Sequence, residues 1–418
     1  MGAKRIIAVC CYNIKIMALS LRSKHKQTAV RVNLMPNTQF LYELQLAALE
    51  IAAIVGKAEM AGDFRSFIVR SDADIGALLR RSAYIGEIDG VESDYTRLSR
   101  KNRTRSFNQY ITHWFYPYKG KFHPQMVRAL ANIIGMREGE TLFDPFSGSG
   151  TTVVEGAILG LKTIGTDISP LCALIGKTKA NAIHHLPKIE KAARSESVFV
   201  ESESGEVDLP LALKNPVAGF DLLARLIALS DKVRRRRDFG EQLRENRHKM
   251  LESIRLMKEG CSELNITPPP SNVRVADARR LSLADESVDG VITSPPYSIA
   301  LNYVANDAHA LGFLGRDIRQ CADEFIGVRG SGAARVALYE EDMNAVYAEI
   351  ARVLKPGKAA AIVLGDATVG GVRVPTVQNC EDTFRALGFR RLHKINKIIF
   401  GLYNVMLRED ILIFKKPE

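Results

Sequence analysis

The stretch TLFDPFSGSGTT (141–152) decides the fold: an apolar strand runs into a loop of small residues and out into the amphipathic helix TTVVEGAILG (151–160). Gly148 and Gly150 let the backbone turn tightly and approach a ligand with no Cβ in the way. The alternation continues outward on both sides. PQMVRALANIIG (124–135) reads as a helix before the loop, LKTIGTDI (161–168) as a second strand after it, and SPLCALIGKTKANAI (169–183) as a second helix. The pattern breaks near Leu186 and resumes with the strands VRVA (273–276), VDGVITS (288–294) and AAAIVLGD (359–366). KIIFGLY and EDILIFKK then close the chain as an antiparallel pair. Short apolar strands alternating with helices predict an α/β fold on a parallel sheet.

The chain has 418 residues, enough for two to three domains. Residues 1–96 read as an N-terminal α+β domain of unknown role, with helices over 41–56 and 72–85 and a strand over 64–71. Residues 97–418 form the α/β domain, interrupted at 186–271 by an insertion. That insertion holds an acidic, serine-rich stretch (195–208), a basic helix with Arg234–Arg237, and a turn at Pro268–Pro270. A composition of 46% hydrophobic and 25% charged residues excludes long disorder. No apolar run reaches the ~18 residues of a membrane span. Asn13 and Lys15 interrupt the N-terminal apolar run and no small-x-small cleavage site follows, so the expectation is a cytoplasmic protein. Six scattered cysteines without CxxC spacing predict reduced thiols and no metal site.

The net charge of +11 hints at a polyanionic partner. It is concentrated in two segments. Residues 97–128 hold eight basic and no acidic residues, interleaved with Phe107, Tyr110, Trp114, Phe115, Tyr116 and Tyr118; residues 225–258 hold eleven basic against five acidic. Arg234, Arg235, Arg236 and Arg237 run around every face of one helical turn, so they cannot all point inward. They read as phosphate contacts or as a solvated helix face.

Two strand ends carry the chemistry. Asp144 ends the first strand, and Asp167 ends the next one 19 residues after Gly148, where an acid accepts hydrogen bonds from ribose hydroxyls. A P-loop would need Lys after Gly150, and a dinucleotide fingerprint would need a third glycine where Val153 stands. S-adenosylmethionine, with ribose and adenine but no phosphate, needs neither; a ligand-free glycine turn stays open beside it. The second motif is VITSPPY (291–297). Proline fixes φ and offers a carbonyl with no competing N–H. Ser294 Oγ and the Pro295 carbonyl could thus accept both N–H bonds of an exocyclic base amine while Tyr297 stacks on its ring. The alternative is a solvated Pro-Pro turn.

Together these motifs resemble the S-adenosylmethionine-dependent amino-methyltransferases of nucleic acids, and most closely the DNA methyltransferases of the cytosine-N4 type. FDPFSGSGT is similar to their cofactor motif and ITSPPY to their (S/D)PP(Y/F) catalytic motif. YKGKFHPQMVRAL (118–130) resembles a further cofactor motif, with Lys121, Phe122, His123 and Pro124 at matching positions. VADARRLSLADESVDGV (275–291) resembles the strand and loop where an acid, here Asp277, reaches the adenine. The resemblance implies a Rossmann-like class I methyltransferase fold with a mostly parallel seven-stranded sheet and a helical insertion as target-recognition region. It implies cofactor contacts from Phe122, His123 and Pro124, from Asp144, Phe146, Gly148, Gly150 and Thr151, and from Asp167 and Asp277. It implies catalysis by Ser294, Pro295, Pro296 and Tyr297, without a metal, on DNA rather than tRNA. The layout is also similar to tRNA guanine-N2 methyltransferases, which carry (N/D)PPY, and adenine N6 stays open as a target. His123 reads as packing beside the cofactor. Asn302, Tyr303 and Asp307, which follow the catalytic turn, read equally as base-pocket or as structural residues.

Overall fold

The computed structural model describes residues 29–102, 106–194, 207–296, 302–369, 372–400 and 406–418. An N-terminal antiparallel sheet comes first, built from β1 (Ala29–Leu34), β2 (Ala58–Met60), β3 (Ser66–Arg70), β4 (Ile85–Ile88) and β5 (Val91–Glu92) in the order β2-β3-β1-β4-β5. Helix α1 (Leu41–Val55) covers it. The helix expected over 72–85 is shorter: α2 (Ile75–Arg81) starts on the cap Asp74, whose Oδ1 accepts from Ala77 N–H at 2.8 Å. The chain then turns at Ser82 into β4.

The second sheet has seven strands. β6 (Thr141–Asp144), β7 (Lys162–Asp167), β8 (Asn272–Val275), β9 (Val288–Thr293) and β10 (Leu354–Leu364) run parallel; a short hairpin β11–β12 (Ala367–Val369, Val372–Val374) follows. The last strand, β14 (Met406–Lys415), slots antiparallel between β10 and β13 (Arg390–Phe400), giving the order β13-β14-β10-β9-β6-β7-β8. Side chains alternate across a strand, so a sheet covered on both faces is apolar at every position. Leu142, Ile292, Ala361 and Val363 therefore join one core, while their neighbours Phe143, Val291, Ala360 and Ile362 join another. The order and the single antiparallel insertion define a Rossmann-like class I methyltransferase fold.

The N-terminal sheet shares its core with the large one. Val32, Leu46, Ile51 and Phe67 pack in one cluster with Leu130 of the helix Pro124–Ile133 and with Ile292, Ile395 and Ile411. The boundary expected at residue 96 falls inside the helix Asp94–Ser99, which is capped by Ser93. The insertion is likewise built into the fold. The helix expected over 169–183 runs on through Pro187 to Arg194. The helices Pro216–Arg235 and Phe239–Glu263 pack on it, burying Leu223, Leu226, Met250 and Ile254 with Leu171 and Ile175. The serine-rich residues 195–206 and Cys10 and Cys11 lie outside the described residues. Cys172, Cys261, Cys321 and Cys380 are buried and unpaired. Among the described residues no helix is long and apolar enough to cross a membrane.

Candidate active site

In an open α/β sheet the ligand crevice lies beyond the carboxyl ends of the strands, where strand order reverses. Here that point is between β6 and β9, and both motifs end there. Gly148 (φ +48°) and Gly150 (φ +77°) take the left-handed turn that lifts the chain from β6 into the helix Thr151–Ile158. The loop is tied to the neighbouring strand end: Gly148 N–H donates to Asp167 Oδ2 and Ser169 N–H to Asp167 Oδ1, both at 2.9 Å. Asp144 Oδ1 accepts from Phe146 N–H at 3.1 Å and from Thr293 Oγ1 at 2.7 Å, joining the loop to the end of β9. Burial pushes the Asp144 and Asp167 carboxyls up to about 6.

A cleft of about 1040 Å³, counted to its open mouth, lies over these ends. Its wall includes Phe122, Asp144, Phe146, Gly148, Thr151 and Asp167 from the expected cofactor set, with Asp277 further along. Ser294 and Pro296, at the end of β9, line the same cleft. Tyr339 OH donates to the Pro296 carbonyl at 3.0 Å and so fixes the proline turn from the helix Gly332–Val353. Tyr297 lies outside the described residues. Asp277 is held by Arg279, whose Nη2 donates to Oδ2 at 2.6 Å and whose Nη1 reaches Asp342 at 3.1 Å. Burial opposes its ionisation, yet Arg279 holds the carboxyl below its ordinary value.

Four expected contacts stand elsewhere. His123 is the exposed N-cap residue of the helix Pro124–Ile133, with Nδ1 3.4 Å from Asn108 Nδ2. Pro124 occupies the first helical position, where its missing N–H costs nothing. Pro295 is not part of the cleft wall, nor is Gly150. A Cβ on Gly150 would stand 2.5 Å from Gly176 Cα, so this glycine serves the close approach of two helices. His113 is buried behind the loop, with Nε2 2.8 Å from Glu155 Oε1.

Sequence reasoning held Tyr303 as a base-pocket or structural residue but missed its partner Tyr118 and other parts of the wall. Tyr118 and Tyr303 stack across the cleft with centroids 6.2 Å apart and an 18° interplanar angle, and Leu311, Phe325 and Ile326 supply apolar surface. Tyr303 and Asp307 line the cleft, whereas Asn302 caps a helical turn through Ala305 N–H. Tyr118 was visible inside YKGKFHPQ, but no local signal pairs it with a tyrosine so far along the chain.

The basic, aromatic-rich segment divides: several of its aromatics are core residues, and of its described basic residues Arg128 is buried while Arg100 and Lys119 are exposed. Tyr110, Phe115 and Tyr116 are fully buried, as is Arg128. Lys101 pairs with Glu259 and Glu263 at 3.0 Å, and Arg100 pairs with Glu92. Lys121 faces the cleft with Nζ 2.5 Å from the His113 carbonyl, and burial pushes it down to about 8. Arg103 and Arg105 lie outside the described residues. The arginine run divides too. Arg235 and Arg236 are exposed, Arg235 pairing with Asp231 at 2.7 Å and Arg236 ending its helix at φ +56°. Arg237 donates to Gln242 at 3.1 Å. Arg234, also at the surface, donates to the Pro117 and Asn306 carbonyls.

The site suits S-adenosylmethionine. Thr151 Oγ1 is buried in the wall with no hydrogen-bond partner among the described residues, and two carboxylates stand at adjacent strand ends behind a glycine turn. Fold and site together define the class: a Rossmann-like methyltransferase scaffold with a proline-rich turn beside its cofactor cleft. Comparison with known proteins agrees. Residues 115–235 match the family described as UPF0020, RMKL-like, methyltransferase domain. The Type II methyltransferase M.MjaII of Methanocaldococcus jannaschii is 39% identical over 94 residues, covering 22% of this chain and 16% of that protein. The Type II methyltransferase M.BsoBI of Geobacillus stearothermophilus is 25% identical over 274 residues, covering 50% and 54%. A tRNA (guanine(10)-N2)-dimethyltransferase of Methanothermobacter thermautotrophicus is 32% identical over 82 residues, covering 19% and 23%. The chain thus spans about half or less of the length of these relatives.

Proposed function

We propose that this protein transfers a methyl group from S-adenosylmethionine to an exocyclic amine of a nucleic-acid base, with cytosine N4 of DNA as the target. The observation that carries this reading is that Ser294 and Pro296 share one cleft with Asp144, Gly148 and Asp167. An acceptor for an amine, Ser294 Oγ, thereby lies beside a slot suited to a nucleoside cofactor. When bound, S-adenosylmethionine supplies an electrophilic methyl carbon on its sulfonium.

The chain's own residues then act mainly by positioning, which suits an in-line displacement. Asp167 accepts from the ribose hydroxyls, Thr151 Oγ1 offers its unused hydrogen bond to the ligand, and Phe122 and Phe146 exclude water from the apolar parts of the slot. The lone pair of an exocyclic nitrogen is delocalised into its ring, so the amine is a poor nucleophile. Ser294 Oγ and the Pro295 carbonyl accept its two N–H bonds and favour a pyramidal nitrogen, an arrangement needed most in the transition state. Tyr339 holds this turn by donating to the Pro296 carbonyl; Pro295 is set behind the cleft wall, so its carbonyl would serve as the second acceptor only if the turn shifts when a base is seated. Tyr297 stacks on the base once it has left the helix, offsetting part of the few kcal/mol that extrusion costs. The nitrogen's surplus proton passes to water after transfer.

In this reading the helical insertion forms the recognition region, its exposed Arg235 and Arg236 meet phosphate, and the protein works in the cytoplasm. A second reading, tRNA guanine N2, draws on the relative from Methanothermobacter thermautotrophicus. One experiment separates them. The protein is incubated with labelled S-adenosylmethionine and separate DNA and tRNA pools, which are digested to nucleosides. N4-methylcytosine from DNA is expected; N2-methylguanosine from tRNA would establish the second reading, and label in neither pool would overturn both.

A further inference from the structure

The cleft wall beside the methyl-transfer turn is made of two segments far apart in sequence, 116–120 and 302–307. They are zipped together. Tyr116 OH donates to Asp307 Oδ1 at 2.9 Å, Lys119 Nζ to Asn306 Oδ1 at 2.8 Å, and Tyr118 stacks on Tyr303. A side chain at Gly120 would not fit easily, because its Cβ would lie 3.1 Å from Tyr303 OH. The second segment begins just after the turn that carries Ser294 and Pro296.

One residue from a third element spans both segments. Arg234, in the last turn of the helix Pro216–Arg235, donates through Nη1 to the Pro117 carbonyl at 3.2 Å. Its Nη2 donates to the Asn306 carbonyl at 2.7 Å and to Asp307 Oδ1 at 3.2 Å. Its side chain is 28% exposed and that of Asp307 8%. A planar guanidinium holding three acceptors on two segments acts as a fixed bracket; a lysine, with a single nitrogen, cannot reproduce it. Arg235 beside it is 58% exposed and, among the described residues, pairs with Asp231 of its own helix.

We infer that Arg234 is a positioning residue for methyl transfer: it clamps the Tyr118–Tyr303 wall in place from the insertion, and it is not one of the phosphate contacts. The inference deepens the proposed function and rests on it for the word transfer, but the clamp itself can be observed separately. It joins the insertion mechanically to the base side of the cleft, so the arginine run has two jobs. Its first member faces the reaction and the exposed members face the substrate backbone.

The test uses the full chain as wild type, Arg234→Ala, Arg234→Lys and Arg235→Ala, with two readouts. Hydrogen exchange of the peptides spanning 116–120 and 302–307 is expected to rise about tenfold or more in Arg234→Ala, to rise less in Arg234→Lys, and to stay at the wild-type rate in Arg235→Ala. The lysine variant keeps the charge, so it serves if the alanine variant folds poorly. In methyl transfer, Arg234→Ala is expected to lower kcat about 10- to 100-fold, with an unchanged dependence of KM on salt. Arg235→Ala is expected to shallow that log–log slope by about one. Unchanged exchange in both Arg234 variants, or a slope change in Arg234→Ala matching that of Arg235→Ala, would overturn the clamp. Wild type that methylates neither DNA nor tRNA, with the exchange effect intact, would remove the proposed function and leave the clamp standing.

Discussion

Ser294 and Asp167 stand at the ends of strands on either side of β6, and in the proposed reaction they act on different partners. If Ser294 meets the amine whose bonding changes during transfer, as proposed, Ser294→Ala lowers kcat about 100-fold while cofactor affinity stays within about twofold. Calorimetry and turnover on the same preparation decide it; equal losses in both would count against the role. Asp167→Ala should do the reverse and weaken cofactor binding. Asp167 also predicts a pH dependence. Burial raises its carboxyl to about 6, above the ordinary value near 4 that it has when unfolded. The folded state therefore binds this proton more tightly, and the group's contribution to stability falls as pH rises from about 4 to about 6. Ribose hydroxyls donate best to the ionised form. Affinity for S-adenosylmethionine is expected to rise between about pH 5 and 7, more steeply in wild type than in Asp167→Asn, as titration calorimetry across that range can show.

At the scale of elements, the loop after β6 depends on two helices meeting at glycines. Gly150 has φ +77°, and a Cβ there would stand 2.5 Å from the Gly176 backbone, where no flexible side chain can give way. Gly150→Ala is therefore expected to destabilise the protein by about 2–4 kcal/mol, seen as a lower urea midpoint at unchanged m-value. The glycine loop itself was legible in the sequence, because the tight turn, the apolar strand and the helix are all local. The strands of the large sheet were legible for the same reason: covered on both faces, they read as apolar runs. Short strands such as Val91–Glu92 were not, because two residues carry no period. Nor was the continuation of the long helix through Pro187, which depends on the helices of the insertion packed along it rather than on its own propensity.

At the scale of the whole molecule, the N-terminal sheet and the large sheet stabilise one another across a shared core. Arg128 is buried in the seam, donating to the carbonyls of Arg80 and Arg81, each at 2.9 Å. Buried Glu50 holds the same seam, accepting from Ser82, Ala83 and Asn132 at 2.7–2.9 Å. Arg128→Ala would strand two carbonyls away from water, and a loss of about 3–5 kcal/mol is expected in urea unfolding. Residues 97–418 expressed alone should expose Leu130, Ile292 and Ile395 and aggregate. A soluble fragment with a cooperative melt would show instead that the large sheet folds on its own.

From the sequence alone came the parallel α/β class and the two strand-end motifs, since strand, turn and helix signals act within a few neighbouring residues. Only the tertiary structure decided which charges face water. The eight basic residues of 97–128 looked like a polyanion surface, yet Arg128 is buried, Lys101 is taken up by ion pairs with Glu259 and Glu263, and the interleaved Tyr110, Phe115 and Tyr116 are core residues. Arg234 and Arg235 are adjacent and chemically identical, yet they have different partners, because residues 117 and 306–307 come within reach of the first and Asp231 of the second. A side chain's partners are set by distant backbone brought close through packing, which a local pattern does not encode.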